Sequence, residues 1–164
     1  MASSDARLPI PSPSARGRKS ARPPKRVPLG PIDEPVRARC DGPPPEPLLR
    51  GIDEFNAGEY FEQHETLETL WRATRTPVRD LYHGILQVGV GLHHLRRANY
   101  HGACVLIEEG VTRLAPFAPV CQSIDVAALI RDATAARERV IALGSAGLSG
   151  FDWSIAPRVR VLGR

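Results

Sequence analysis

The sequence predicts an all-α fold, a small antiparallel helical bundle of about five helices with a disordered N-terminal tail and an extended C-terminal arm. Three observations carry that expectation. Apolar residues recur at helical spacing through most of residues 48–145, short breaks containing Pro, Gly or Asn separate the periodic stretches, and no alternation of strand-like and helical segments appears. A chain of 164 residues with 42% hydrophobic content is long enough for one domain with a hydrophobic core.

Residues 1–47 read differently. They hold nine Lys or Arg against five Asp or Glu, so the whole net charge of +4 lies there, together with twelve of the sixteen prolines and none of the nine aromatic residues. Such a segment has almost nothing to bury against the entropy cost of ordering, and is expected to be disordered. "RGRKSARPPKR" lacks aromatics for base stacking, so any nucleic-acid contact it makes is weak and salt-sensitive. No apolar run approaches the length needed to span a bilayer and no secretory h-region is present, which gives a cytoplasmic expectation and no membrane partner. The three cysteines, Cys40, Cys104 and Cys121, have no CxxC spacing, and their odd number argues against a closed disulfide framework.

From residue 48 the elements follow in order. Leu48 to Asn56 reads as a short helix opened by Pro47 and broken at "NAG". A second helix runs from about Glu59 to Arg75 and stops at "TP". The third, Val78 to Ala98, is apolar on most sides and free of proline, as expected of the buried central helix. Gly102 to about Ala115 forms the fourth, closed by Pro116 and Pro119. The fifth, within "SIDVAALIRDATAARERVIALG", has Ser123 or Asp125 as N-cap and Gly144 as C-cap. After a linker, residues 151–164 alternate Phe151, Trp153 and Ile155, then Val159 and Val161, like an extended arm laid on the bundle.

The chemistry concentrates in the second and third helices. In "YFEQHETLETLW" helical phase places His64 and Glu68, one turn apart, on the same side as Tyr60, Leu67 and Trp71, with Glu62 pointing away and Glu65 at the border. On the third helix His83, Gln87 and His94 share a stripe apart from the apolar face. Facing one another, His64, Glu68, Gln87 and His94 would form a polar pocket for a small polar ligand. His64, Glu68 and His94 also have the ligand types of a divalent metal site, in which Glu65 or Glu68 would serve as general base in a hydrolytic reaction. The other reading makes the same residues a buried hydrogen-bonded network that fixes helix register in a non-catalytic interaction module with a protein partner. "HETLE" differs from the HExxH pattern of zinc peptidases by Glu in place of the second His, and no strand is present to hold a peptide substrate. Glycines 84, 89 and 91 fit close helix packing better than phosphate binding.

"FNAGEYFEQHETLETLW" followed by "HGILQVGVGLHHLRRANYHGACVLIEEGVTRL" resembles the family called domain of unknown function 309 (DUF309), over about residues 48–145. That family joins "FNxGxYFExHExLExxW" to "GLIQxAxxxxHxxxGNxxGA". The matching positions are Phe55, Asn56, Tyr60, Phe61, Glu62, His64, Glu65, Glu68 and Trp71, then Gln87, His94, Asn99, Gly102 and Ala103. Where the pattern has Gly before Asn, this chain has Ala98, and His83 is not part of it. The resemblance implies an all-helical fold and an uncharacterised function.

Overall fold

Prolines and one glycine set the ends of the first helix. In the computed structural model, which describes residues 40–164, α1 spans Glu46–Ala57, with a proline in its first turn and Gly58 closing it at φ 77°. Leu48, Gly51, Ile52 and Phe55 form its buried stripe. The chain then reverses into α2, Tyr60–Ala73. Leu67 of α2 fills the space over Gly51, and Phe55 meets Tyr60 edge to face at 5.7 Å. Residues 1–39, which include most of the tail expected to be disordered and to touch nucleic acid weakly, lie outside the described residues.

Helix α3, Arg79–Arg96, is the central element, with eleven of its 18 residues buried. It packs against α2 on one side and α4, Tyr100–Leu114, on the other. The α3–α4 contact is backbone on backbone: a Cβ on Gly110 would lie 2.9 Å from the Gly84 carbonyl oxygen and 3.0 Å from the Val88 nitrogen. Further along, a Cβ on Gly91 would lie 2.6 Å from Ile107 Cγ1. The glycines therefore serve close packing. Between these helices the chain turns tightly through Ala98 at φ 56°, a left-handed conformation that costs a residue with a Cβ about 1 kcal/mol. The turn that the family pattern assigns to glycine thus forms here with alanine. Asn99 is the N-cap of α4, its Oδ1 accepting from the Gly102 N–H at 2.9 Å.

A 3₁₀ turn, Ala115–Phe117, leads to a two-residue hairpin that helical periodicity did not foresee: β1, Val120–Cys121, pairs antiparallel with β2, Ile124–Asp125. Helix α5, Val126–Leu143, starts at Asp125, whose Oδ1 accepts from the Ala128 N–H, and ends at Gly144. The expected helical bundle is therefore present, with a small hairpin added. Among the described residues no helix is long and apolar enough to cross a membrane.

Two sequence expectations need correction. Cys40 and Cys121 form a disulfide across a separation of 81 residues, with Cα atoms 4.3 Å apart, and the Cys40 carbonyl accepts from the Gln122 N–H at 2.8 Å. The odd cysteine count reflects one pair plus a half-buried free thiol, Cys104. In residues 151–164 the first half is not an extended alternation: Phe151 is buried, whereas Trp153 and Ile155 lie in a 3₁₀ turn with much of their surface exposed. The extended part comes later, where Val159 is buried and Val161 bridges to Ile124.

Of the three atoms nearest a Cβ on Gly110, Val88 Cγ2 is a side-chain methyl, but the Gly84 oxygen and Val88 nitrogen are backbone and cannot yield as a side-chain tip would. Gly110→Ala is expected to cost about 1–3 kcal/mol of stability. Equilibrium urea unfolding measures this, and an unchanged midpoint would contradict the tight α3–α4 crossing.

Candidate functional site

Helix α2 determines which polar side chains enter the interior. Its fully buried positions are Tyr60, Gln63 and Leu67. Gln63 sits about 40° to one side of Leu67 and His64 about 60° to the other, and burial follows that difference. Gln63 has no exposed surface, while His64 and Glu68 are half-buried and Glu65 is exposed. The Gln63 amide occupies the space beside Gly89 of α3, and neither Oε1 nor Nε2 has a hydrogen-bond partner. Helical phase alone selected His64 as the inward polar group; the deeper one is Gln63.

Two members of the α3 stripe, Gln87 and His94, are engaged toward α4 rather than α2. Gln87 donates from Nε2 to Glu109 Oε2 at 2.9 Å and accepts at Oε1 from Arg113 Nε at 3.0 Å. Arg113 also donates from Nη1 to Asp80 Oδ1 at 3.3 Å, so three residues of α3 and α4 orient one amide. His94 is held similarly. Since Asn99 Oδ1 accepts from Gly102, its Nδ2 is the donor directed at His94 Nδ1, 2.9 Å away. His94 Nδ1 therefore acts as an acceptor and the proton of the neutral ring sits on Nε2.

The four candidate residues thus do not converge. Glu68 pairs with Arg72 of its own helix at 2.7 Å, Gln87 and His94 are engaged toward α4, and the His64 imidazole has no hydrogen-bond partner among the described residues. Among those residues no group of three or more His, Cys, Asp or Glu is placed to hold a metal ion. The expected His64, Glu68 and His94 metal set is not assembled among the described residues, where Glu68 is paired with Arg72 and His94 with Asn99. His64 instead lies near His93. Burial first, then the charges of Arg97, His94, Arg96 and His64, lower the His93 pKa. Phe61, more than half exposed, lies 6.5 Å from the His93 ring.

At the other end of the α2–α3 contact, His83 stacks on Trp71 with ring centroids 4.3 Å apart, and the Arg79 guanidinium covers the indole at 5.0 Å. His83 Nδ1 is buried without a partner. Burial, reinforced by Arg113 and Arg79 and opposed by Glu68, pushes the His83 pKa down to about 4. The ring is neutral near neutral pH. Spacing had grouped His83 with Gln87 and His94, but it turns to the α2 side.

The family model described as "Domain of unknown function (DUF309)" matches residues 48–106, from α1 into α4. That match bears out the resemblance read from the paired motifs, over a shorter span than residues 48–145. No curated protein and no solved structure matches the chain.

Two outcomes follow from the α2–α3 contact. His83 takes up a proton at about 4 in the folded protein and near 6.5 when unfolded. Between those values the unfolded chain binds more protons, so stability should fall as pH drops through that window. His83→Phe, which keeps the stack on Trp71, should flatten that dependence in urea unfolding series; an equal slope in both proteins would refute the depressed pKa. Gln63→Met should raise stability by about 1–2 kcal/mol, because it replaces two unpaired buried polar atoms with an apolar side chain of similar length. Thermal unfolding of the variant tests this.

Proposed function

We propose that this DUF309-type domain is a non-catalytic interaction module whose polar network fixes helix packing. The observation that supports the reading most directly is the engagement of Gln87 by Glu109 and Arg113 and of His94 by Asn99. Gln87, with both ends of its amide satisfied within the fold, and His94, held at Nδ1, have a register-setting role close at hand. The hydrolytic alternative asks His64 and His94 to hold a divalent metal while Glu65 or Glu68 activates water. It gains nothing from Glu68, which is neutralised by Arg72, or from Glu65, which stands in solvent.

One observation favours a second reading, a small polar ligand at the Trp71–His83 stack. There the neutral imidazole, its buried Nδ1 unpaired, lies beside an indole and the Glu68 charge, a combination that suits a planar hydrogen-bonding ligand.

Elemental analysis of protein purified without chelators, combined with melting curves of His64→Ala and His94→Ala, distinguishes these roles. The interaction-module reading expects no stoichiometric metal, an unchanged melt for His64→Ala, and a lower melt for His94→Ala, whose loss leaves Asn99 without its acceptor. A stoichiometric divalent metal that disappears in either variant would overturn it.

A further inference from the structure

Residues 158–164 are held in a way that reads main chain before side chain. The Asn56 amide grips Val159 at both ends: Nδ2 donates to the Val159 carbonyl at 2.8 Å, and Oδ1 accepts from the Val159 N–H at 2.9 Å. Two residues on, the segment lies beside β2. The Asp125 N–H donates to the Arg160 carbonyl at 3.0 Å, and the Leu162 N–H to the Ser123 carbonyl at 2.7 Å, around the antiparallel bridge of Val161 to Ile124. This is an isolated antiparallel bridge laid along the two-stranded β1–β2 hairpin, with a side-chain amide from α1 continuing the main-chain pairing.

The side chains alternate accordingly. Val159 and Val161 point into the fold, whereas the arginines meet acceptors on the rim: Arg158 the Asn56 carbonyl at 3.2 Å, Arg160 Asp132 at 3.4 Å, and Arg164 Asp53 at 3.0 and 3.1 Å. The rim pairs are largely exposed and hold weakly. The cleft beside the two valines is open to solvent. It measures about 200 Å³ and is bounded by Ile52, Asp53, Asn56, Val159, Val161 and Arg164. A short extended segment with small anchors, weak rim pairs and an open cleft beside it opens locally at low cost.

We propose that the groove between α1 and the β1–β2 hairpin is a docking site for an extended segment of a partner protein with alternating bulky apolar and basic residues. In the resting chain residues 158–164 occupy it in cis. The inference rests on the interaction-module reading and gives that module its surface. Asn56 and the β2 main chain recognise any extended backbone in this register, the cleft beside Ile52, Val159 and Val161 leaves room for a side chain larger than valine, and Asp53 and Asp132 select basic neighbours.

The test uses the full chain and a fluorescent peptide with the sequence of residues 156–164, in its own form and carrying V159L and V161L. In full-length Val159→Asp/Val161→Asp protein, whose own segment is expelled, the peptide should bind in fluorescence anisotropy. The leucine form should bind about tenfold more tightly, from two added methylenes. Binding should be lost when Asn56→Ala is added, and should be about tenfold or more weaker in the wild-type chain, where the cis segment competes. No binding to a double variant that melts cooperatively, or binding indifferent to Asn56→Ala, overturns the proposal. Should the double variant not fold, hydrogen exchange in the wild-type chain decides: excess leucine peptide should abolish protection of the Val159 and Leu162 amides, and retained protection overturns the docking site. A negative result here leaves the metal and melting experiments on His64 and His94 unaffected, so failure of the docking site is distinct from failure of the module reading.

Discussion

The approach of α3 to α4 along Gly84, Gly91 and Gly110 is the constraint on which the other arrangements depend. Two helices that meet backbone to backbone bring the side chains flanking the contact within hydrogen-bond reach, and this is how Gln87 meets Glu109 and Arg113 while His94 meets Asn99. With bulkier residues at the crossing the axes would separate, and a neutral amide such as Gln87 would face an apolar wall. The same contact fixes the rotation of α3 about its axis. With the glycine side committed to α4, Gly89 is left to face Gln63 of α2, and His83 stacks on Trp71 at the rim between the two faces.

Much of the fold was legible because helices announce themselves locally. Pro47, the "NAG" break, "TP" at 76–77 and Gly144 act on their own neighbours through φ restriction, missing donors or left-handed caps, and the five helices begin and end within a few residues of those signals. The hairpin was not legible for an equally local reason. Its turn places Gln122 and Ser123 at φ 47° and 62°, conformations usually marked by Asn or Gly, so no turn signal stood in the sequence. Here tertiary ties impose the turn: the Cys40–Cys121 bridge, the Cys40 carbonyl on Gln122 and the Tyr82 hydroxyl on the Gln122 side chain at 2.9 Å. Each joins residues far apart in sequence, and no periodicity records them.

The candidate site shows the same division more sharply. Phase on one helix ranks faces correctly, and it placed Gln87 and His94 on a common stripe. It cannot say which neighbouring helix each member of that stripe meets, because this depends on the rotation set by the glycine contact. Gln87 and His94 thus belong to a network shared with α4, while His83 of the same stripe meets α2. On α2 the error was one of small angle. Tyr60, Leu67 and Trp71 drew the inferred centre of burial toward His64, but Trp71 is only partly buried, held at the edge by His83 and Arg79. The true centre lies nearer Leu67 and Gln63.

Asn56 shows how the two kinds of information combine. Its place in the family-matched stretch, just before the Gly58 break, is a local fact, and a polar residue at the end of a helix is ordinarily read as a cap. Its amide instead spans 103 residues to bind both polar groups of Val159. A primary amide presents a donor and an acceptor in nearly the geometry of a neighbouring strand, so one asparagine at a helix end can extend a sheet whose next strand is missing. That role demands nothing of the captured segment except an extended backbone and side chains that fit the cleft. The family match ends at residue 106, well before the segment begins. Asn56 thus lies in the matched region, whereas the segment it holds and the β2 main chain that pairs with that segment lie beyond it.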